Sequence, residues 1–78
     1  MTEWSISTRC ECQATLTAVL DEKRHVLMGQ ASRRGAKERA AAHSIHAEQE
    51  RFDIAWLCPC CGRNTLRTFH VGALRAVA

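Results

Sequence analysis

The sequence has few of the residues that enlarge or interrupt a protein core. Its 78 residues include no tyrosine, two tryptophans, two phenylalanines, four glycines and a single proline, Pro59. A chain this short buries little apolar surface, and small domains with thin cores usually add a metal ion or disulfides. We therefore expect one domain, residues 1–78, whose folding needs a cross-link of one of these kinds.

Long hydrophobic runs are also absent. No segment approaches membrane-spanning length, and the first ten residues, MTEWSISTRC, contain no apolar stretch typical of a signal peptide. We therefore expect a cytoplasmic protein with no membrane contact, and the many Ala and Arg residues suggest a bacterial or phage origin. In a reducing cytoplasm stable disulfides are rare, and clustered cysteines more often bind metal.

The chain has no strong excess of charge of either sign. The formal net charge is +3 at pH 7. Residues 1–29 carry three basic and four acidic side chains, whereas residues 51–78 carry four arginines and one aspartate. The later part of the chain is the basic one, but the total charge does not select one class of partner.

Cysteine, in contrast, is frequent in this sequence. There are five, in two clusters: Cys10 and Cys12, and the three cysteines of CPCCG at 58–62. An odd number suits four ligands and one bystander. Each cluster falls between two predicted strands, where a tight turn can present two thiolates to one metal. Pro59 restricts the backbone within the second turn, and Gly62 permits the positive φ needed to leave it.

Alternation of apolar and polar residues predicts most of the fold as strands. Asp21-Glu22-Lys23-Arg24 separates two of them as a charged turn. The predicted strands are residues 4–8, 14–20, 25–29, 52–57 and 64–71. For residues 64–77 a helix remains an alternative.

Residues 30–50 have a different composition. They are rich in Ala, Arg, Lys, Glu and Gln and contain no proline, which predicts a helix over about 31–50 with Ser32 as its N-cap. The helix would carry a thin apolar stripe of Ala31, Ala41, Ala42, Ile45 and Phe52. The expected fold is therefore a small α+β domain: an antiparallel sheet with one inserted helix.

CPCCG resembles the CPxCG knuckle of zinc-ribbon and rubredoxin-like domains, in which two such turns hold one metal ion. The resemblance implies one structural Zn²⁺, with Cys58 and Cys61 as ligands from this knuckle and Cys10 and Cys12 from the other. The first pair departs from the family pattern because it is C-x-C, and 45 residues separate the pairs, which is longer than a minimal ribbon needs.

Other interpretations of the cysteines remain open. Iron fits the same four-thiolate site. A redox dithiol would normally open a helix rather than precede a strand, and a disulfide framework is the third possibility. Cys60 is interpreted as a spare thiol or a small buried apolar residue. The four histidines do not have ligand spacing with any cysteine.

The predicted site favours binding over catalysis. Four thiolates close the coordination sphere of a zinc ion, whereas a catalytic zinc keeps an open position. We expect a non-enzymatic regulatory accessory that binds nucleic acid, since Arg67 and Phe69 share a strand face that suits phosphates and bases. Phe69 could equally belong to the core. The candidate contact residues are Arg33, Arg34, Lys37, Arg39, Arg63 and Arg67.

A protein-interaction adaptor is the alternative function. It would use the Ala-rich helix or a free sheet edge such as residues 2–9. A thiol redox protein is a minor third alternative.

Overall fold

The computed structural model describes residues 3–47 and 50–76, and the strands that they form pair antiparallel. The one helical segment in this part of the chain is a single 3₁₀ turn, Val71–Ala73. No helix in the same residues is long and apolar enough to cross a membrane. The strands are β1 (Trp4–Arg9), β2 (Thr15–Leu20), β3 (Val26–Arg33), β4 (Ala36–Arg39), β5 (Ala41–Ala47), β6 (Arg51–Leu57), β7 (Asn64–His70) and β8 (Arg75–Ala76).

The strands predicted from alternation are confirmed, including the strand interpretation of residues 64–70. The charged turn after β2 is confirmed as well, because the backbone N–H groups of Lys23 and His25 both donate to the Asp21 carboxylate. β3 continues through Gly29 to Arg33, beyond the predicted end of that strand.

The helix predicted for residues 31–50 is wrong. Most of this segment forms the end of β3, the whole of β4 and the whole of β5, while residues 48–49 lie outside the described part of the chain. Arg34 and Gly35 both have positive φ, 53° and 83°, and connect β3 to β4 as a two-residue hairpin turn. Two consecutive residues of this kind end any right-handed helix, and they are typical of a type I′ turn.

The strands form two sheets around one core. Sheet A has the order β4-β3-β2-β1-β8, and sheet B has the order β5-β6-β7. Only Ala40 separates β4 in sheet A from β5 in sheet B; this residue is buried, and its N–H donates to the Gly29 carbonyl. The chain therefore passes from one sheet to the other as a nearly continuous bent strand, which forms one side of the molecule.

The core consists of the inward-facing side chains of both sheets. Trp56 of β6 is buried and donates its indole N–H to the Thr17 carbonyl of β2 at 3.2 Å, so one side chain joins the two sheets. The largest fully buried side chains are Trp56, Phe52, Leu16, Leu20, Ile54 and Cys58. A cysteine in this group shows that the core is continuous with the cysteine clusters.

The side of the molecule opposite Ala40 remains open. Here β1 and β7 lie beside one another without a shared ladder. Within the described residues, β7 pairs only with β6, and β1 pairs with β2 and, at Trp4 and Ser5, with β8. We call this gap the seam. The turns that carry the cysteines, β1–β2 and β6–β7, lie at one end of the seam, and β8 lies at the other.

Candidate metal centre

The first cysteine turn is closed by backbone hydrogen bonds. The Cys10 N–H donates to the Ala14 carbonyl and the Gln13 N–H donates to the Cys10 carbonyl, both at 2.9 Å. Gln13 takes a φ of 74°, which lets the chain reverse into β2. The compact C-x-C turn thus aims both of its sulfurs toward the second cluster.

The second turn is built in the same way. The Gly62 N–H donates to the Cys58 carbonyl at 2.8 Å, and the Cys58 N–H donates to the Arg63 carbonyl at 3.0 Å. Gly62 has the positive φ, 74°, that the sequence predicts for this position. This turn directs the side chains of Cys58 and Cys61 toward the first cluster.

The two turns bring Cys10, Cys12, Cys58 and Cys61 together, the same four residues that the sequence singles out. Their sulfurs all lie within 4.8 Å of one another, with Cys10–Cys61 at 3.5 Å and Cys12–Cys58 at 3.6 Å. Four sulfurs placed tetrahedrally about 2.3 Å from one ion would be roughly 3.8 Å apart. The geometry therefore fits a single ion, and the four residues could hold one.

The surroundings favour negative charge on one sulfur of the cluster. The backbone N–H of Cys12 donates to the Cys10 sulfur and, against the opposing effect of burial, lowers the pKa of Cys10 from 9.0 to about 6. Thr65, a buried residue of β7, donates its hydroxyl to the same sulfur at 3.8 Å. These hydrogen bonds from N–H and O–H groups also orient the sulfur as a ligand.

The other sulfurs oppose further negative charge. The N–H of Arg63 lowers the pKa of Cys61, but burial and the neighbouring sulfurs of Cys10, Cys12 and Cys58 outweigh it and raise the pKa to about 12. Four thiolates at this spacing repel one another strongly unless a cation lies between them. The cluster therefore has the donor set and the electrostatics of a cation site.

Cys60 lies outside this group. It is half-buried beside the cluster, and its pKa is raised by burial and by the charges of Cys58 and Glu38, so it remains a neutral thiol. Of the histidine side chains that the structure describes, those of His25, His43 and His70, none joins a group with metal-binding geometry.

The six predicted contact residues are not brought together. Lys37 and Arg39 lie on the outer face of sheet A, and Arg34 lies in the adjacent hairpin turn; Arg33 shares the inner face of its strand with Ala31, although it is exposed beyond the core. These four belong to one hairpin and not to a helical flank.

Arg63 and Arg67 lie at the seam. Arg63 forms an ion pair with Glu11, which joins the two cysteine turns at their surface. Arg67 pairs in register with Ile54 and so shares the inward face with Phe69, but it is exposed because no strand covers it there. Phe69 packs against Phe52 and Trp56, with ring centroids 5.7 and 5.9 Å away, and belongs to the core.

Sequence reasoning missed two cations. Arg9 and Arg75 are exposed on the outer face of sheet A, the face that carries Lys37 and Arg39. The register of the strands places these two arginines on the same face as Lys37 and Arg39. This register can be predicted only when residues 30–47 are recognised as strands. The Arg34–Gly35 hairpin turn is the sequence signal that could have revealed it.

The described residues thus define a small all-β antiparallel domain with a four-cysteine cluster consistent with a zinc-ribbon-like site. Comparison with protein-family models, with curated protein sequences and with solved structures gave no match.

Proposed function

We propose that this protein is a non-enzymatic module that holds one structural zinc ion and binds the phosphate backbone of nucleic acid on the outer face of sheet A. The observation that carries the binding proposal is the charge pattern of this face. Its strand positions carry four cations, Arg9, Lys37, Arg39 and Arg75, which come from three strands, and no outward-facing strand position among the described residues is acidic.

Zinc is the ion that the site suits best. Four thiolates with near-tetrahedral spacing select zinc or iron, and zinc is the usual ion where such a site stabilises a small fold. Four cysteines would take all four coordination positions of this ion, and no position would be left for a substrate or a reactive water. A reducing compartment, such as the cytoplasm, would keep the thiols available to the ion.

The outer face of sheet A is organised in rows across the strands. One row runs from Arg9 through Thr15 and Ser32 to Lys37. The next row runs from Ser7 through Thr17 and Gln30 to Arg39. Arginine, lysine, hydroxyl and amide groups are the side chains that contact phosphate oxygens in nucleic-acid complexes.

A third row adds the remaining cation. Arg75 of β8 pairs with Ser5, which pairs in turn with Val19. Within residues 3–47 and 50–76, Arg63 pairs with Glu11 and His25 pairs with Asp21, and no ion pair is seen for Arg9, Lys37, Arg39 or Arg75. Cations without an acidic partner retain their full attraction for phosphate.

The same face indicates which type of contact dominates. Its strand positions in the described residues carry no aromatic side chain on which a base could stack. Phe69, the aromatic candidate from the sequence, lies in sheet B and packs in the core. Recognition of bases needs stacking or groove contacts, whereas phosphate contacts are independent of sequence. The proposed binding is therefore strongly salt-dependent and weakly sequence-dependent.

Salt dependence of binding tests this proposal. We expect the zinc-loaded protein to bind a DNA or RNA oligonucleotide with an affinity that falls steeply between 50 and 200 mM salt. Lys37→Ala and Arg39→Ala should each weaken binding and reduce the slope of log K against log salt by about 1. Fluorescence anisotropy with a labelled oligonucleotide measures both quantities.

Arg51→Ala is the matched control, because Arg51 is an exposed arginine on the outer face of sheet B. It should leave the slope unchanged. Binding that is absent at low salt, or that depends equally on Arg51 and Lys37, would rule out the outer face of sheet A as the contact surface.

A further inference from the structure

The seam between β1 and β7 presents two free strand edges. Residues Ile6–Arg9 of β1 pair with a neighbouring strand on one side only. Among the described residues, the same is true of all of β7. In an edge strand about half of the backbone N–H and C=O groups point away from the sheet and seek a partner. Two such edges here face the same gap.

The side chains along the gap are not closely packed, and two cavities lie within it. A cavity of about 390 Å³ lies at its cysteine end, between Cys10 and Glu11 on one side and residues 63–67 on the other. A second cavity of about 250 Å³ lies at its other end, lined by Ser5, Ile6 and Ser7 opposite Phe69, Ala73 and Arg75. The two cavities together follow the length of both edges.

The ends of the seam are held in place. At one end the cysteine cluster and the Arg63–Glu11 ion pair join the β1–β2 turn to the β6–β7 turn. At the other end the chain leaves β7 through the 3₁₀ turn and returns to pair β8 with the start of β1. The two edges therefore keep a fixed relation to each other, which lowers the entropic cost of binding between them.

The lining of the seam is apolar at its base and basic at its rim. Ile6 is buried and Phe69 is half-buried, so both offer apolar surface to the gap. Arg67 and Arg75 are exposed along the rim. Among the described residues, Glu11 is the one acidic residue that lines either cavity, and it is paired with Arg63.

We propose that the seam binds an extended, acidic peptide segment of another protein by strand addition. Backbone hydrogen bonds to β1 and β7 would supply affinity, and Arg67 and Arg75 would select acidic side chains. A second copy of this chain is disfavoured as the occupant, because its own free edges carry Arg9 and Arg67. This binding site borders the outer face of sheet A, with which it shares Arg75, and it goes beyond the nucleic-acid proposal.

Binding of defined peptides to the zinc-loaded protein tests the inference. The probe is an acetylated and amidated hexapeptide, TEVEVT, which has strand propensity and two acidic side chains. The matched control is TKVKVT. Titration followed by amide chemical shifts and amide hydrogen exchange reports which residues respond. We expect TEVEVT to protect backbone amides in residues 6–9 and 64–70 and to bind at least about tenfold more tightly than TKVKVT.

Two further variants separate strand addition from simple charge attraction. Arg67→Glu should weaken TEVEVT binding at least about tenfold, whereas Arg51→Glu, an equal charge change on the outer face of sheet B, should change it little. A TEVEVT peptide with N-methylated valines cannot donate those backbone hydrogen bonds and should also lose affinity. Zinc content and the spectrum of each free variant establish that it remains folded.

Other outcomes overturn the inference. Equal binding of TEVEVT and TKVKVT would remove the charge selection, and amide changes confined to the outer face of sheet A would place the peptide elsewhere. Absence of binding at millimolar peptide would show that the seam does not accept a strand. Concentration-dependent dimerisation that protects the same amides would instead assign the seam to a second copy of the chain.

Discussion

Each of the four clustered cysteines owes its position to a local turn, so the sequence alone could identify them. The CPCCG spacing and Gly62 predict the second knuckle, and the structure shows the expected positive φ at this glycine. The choice of Cys61 over Cys60 also follows from spacing, since the x₂ separation directs Cys58 and Cys61 to one side of the turn. What spacing cannot give is the distance between the two turns, because it depends on the packing of both sheets.

Substitution of single cysteines tests this assignment. Cys58→Ser should abolish stoichiometric zinc binding and unfold the domain, because Cys58 is fully buried and its sulfur lies in the cluster. Cys60→Ser should retain one zinc ion and change the melting temperature by only a few degrees, since Cys60 contributes no sulfur to the cluster. Metal analysis together with thermal melting followed by circular dichroism makes both measurements. If Cys60→Ser releases the metal, the ligand assignment is wrong.

At the scale of the secondary-structure elements, prediction succeeded where side chains alternate and failed where alanine dominates. The pattern of β2 and β6, with every second residue buried, is unambiguous. In residues 30–50 helix propensity is high, but it amounts to only a few tenths of a kcal/mol per residue and is readily overridden by packing. Here Ala31 and Ala40 are buried in the core, and the Arg34–Gly35 turn fixes the hairpin.

The assumed apolar stripe of the helix illustrates the same point. Its members lie on three different strands: Ala31 on β3, Ala41, Ala42 and Ile45 on β5, and Phe52 on β6. Ile45 lies at a register shift in β5 and is 61% exposed, whereas Phe52 is fully buried. The adaptor interface that the sequence predicts on a helix therefore has no helix to carry it within residues 3–47 and 50–76.

Gly29 provides a test of the bent strand. A Cβ at this position would collide with the Ala40 carbonyl and lie 2.7 Å from the Ala42 Cβ, where β3 meets the passage from β4 to β5. Because backbone cannot move aside as a flexible side chain can, Gly29→Ala should lower the free energy of unfolding by about 1–3 kcal/mol. Chemical denaturation of the zinc-loaded protein measures the change.

Gly72→Ala is the matched control for that experiment. A Cβ at Gly72 meets no atom within 4 Å, and its φ is not in the left-handed region. The substitution should alter the free energy of unfolding by less than about 0.5 kcal/mol. Equal effects of the two substitutions would show that β3 and Ala40 are not in close contact.

In the whole molecule, the cysteine cluster and the bent strand join the two sheets on opposite sides. The covalent chain joins the sheets through Ala40 on one side, and the cysteine turns join them at the seam on the other. A core of this size offsets chain entropy only narrowly, and a structural zinc site contributes on the order of 10 kcal/mol. Folding and zinc binding are therefore expected to occur together.

Zinc removal and proton counting test this coupling. Chelation at pH 7 should unfold the protein, as measured by loss of its β-sheet circular dichroism. Thiols of an unfolded chain have a pKa near 8.5, so refolding with zinc should release about four protons per ion. A zinc-free chain that stays folded would release only about three, because the pKa of Cys10 is already lowered to about 6.

The sign of the pH dependence follows from the same thiols. Zinc binds the thiolate, so the pKa of each ligand in the zinc-bound fold lies below its value in the unfolded chain. The resulting stabilisation is present above about pH 8.5 and is lost progressively as the pH falls. Melting temperatures of the zinc-loaded protein should therefore decrease from pH 8 to pH 6. A melting temperature that is constant over this range would mean that thiolate ligation does not stabilise the fold.

The hydrogen bond from Trp56 to Thr17 gives the molecule an internal optical reporter. Trp56 is 1% exposed and its indole touches both sheets, so its fluorescence emission depends on whether the sheets remain in contact. Trp4, the other tryptophan, is half-buried at the start of β1, between β2 and β8. With Trp4 replaced by phenylalanine, a shift of the remaining emission to longer wavelength would record the moment when water enters between the sheets, without any added dye.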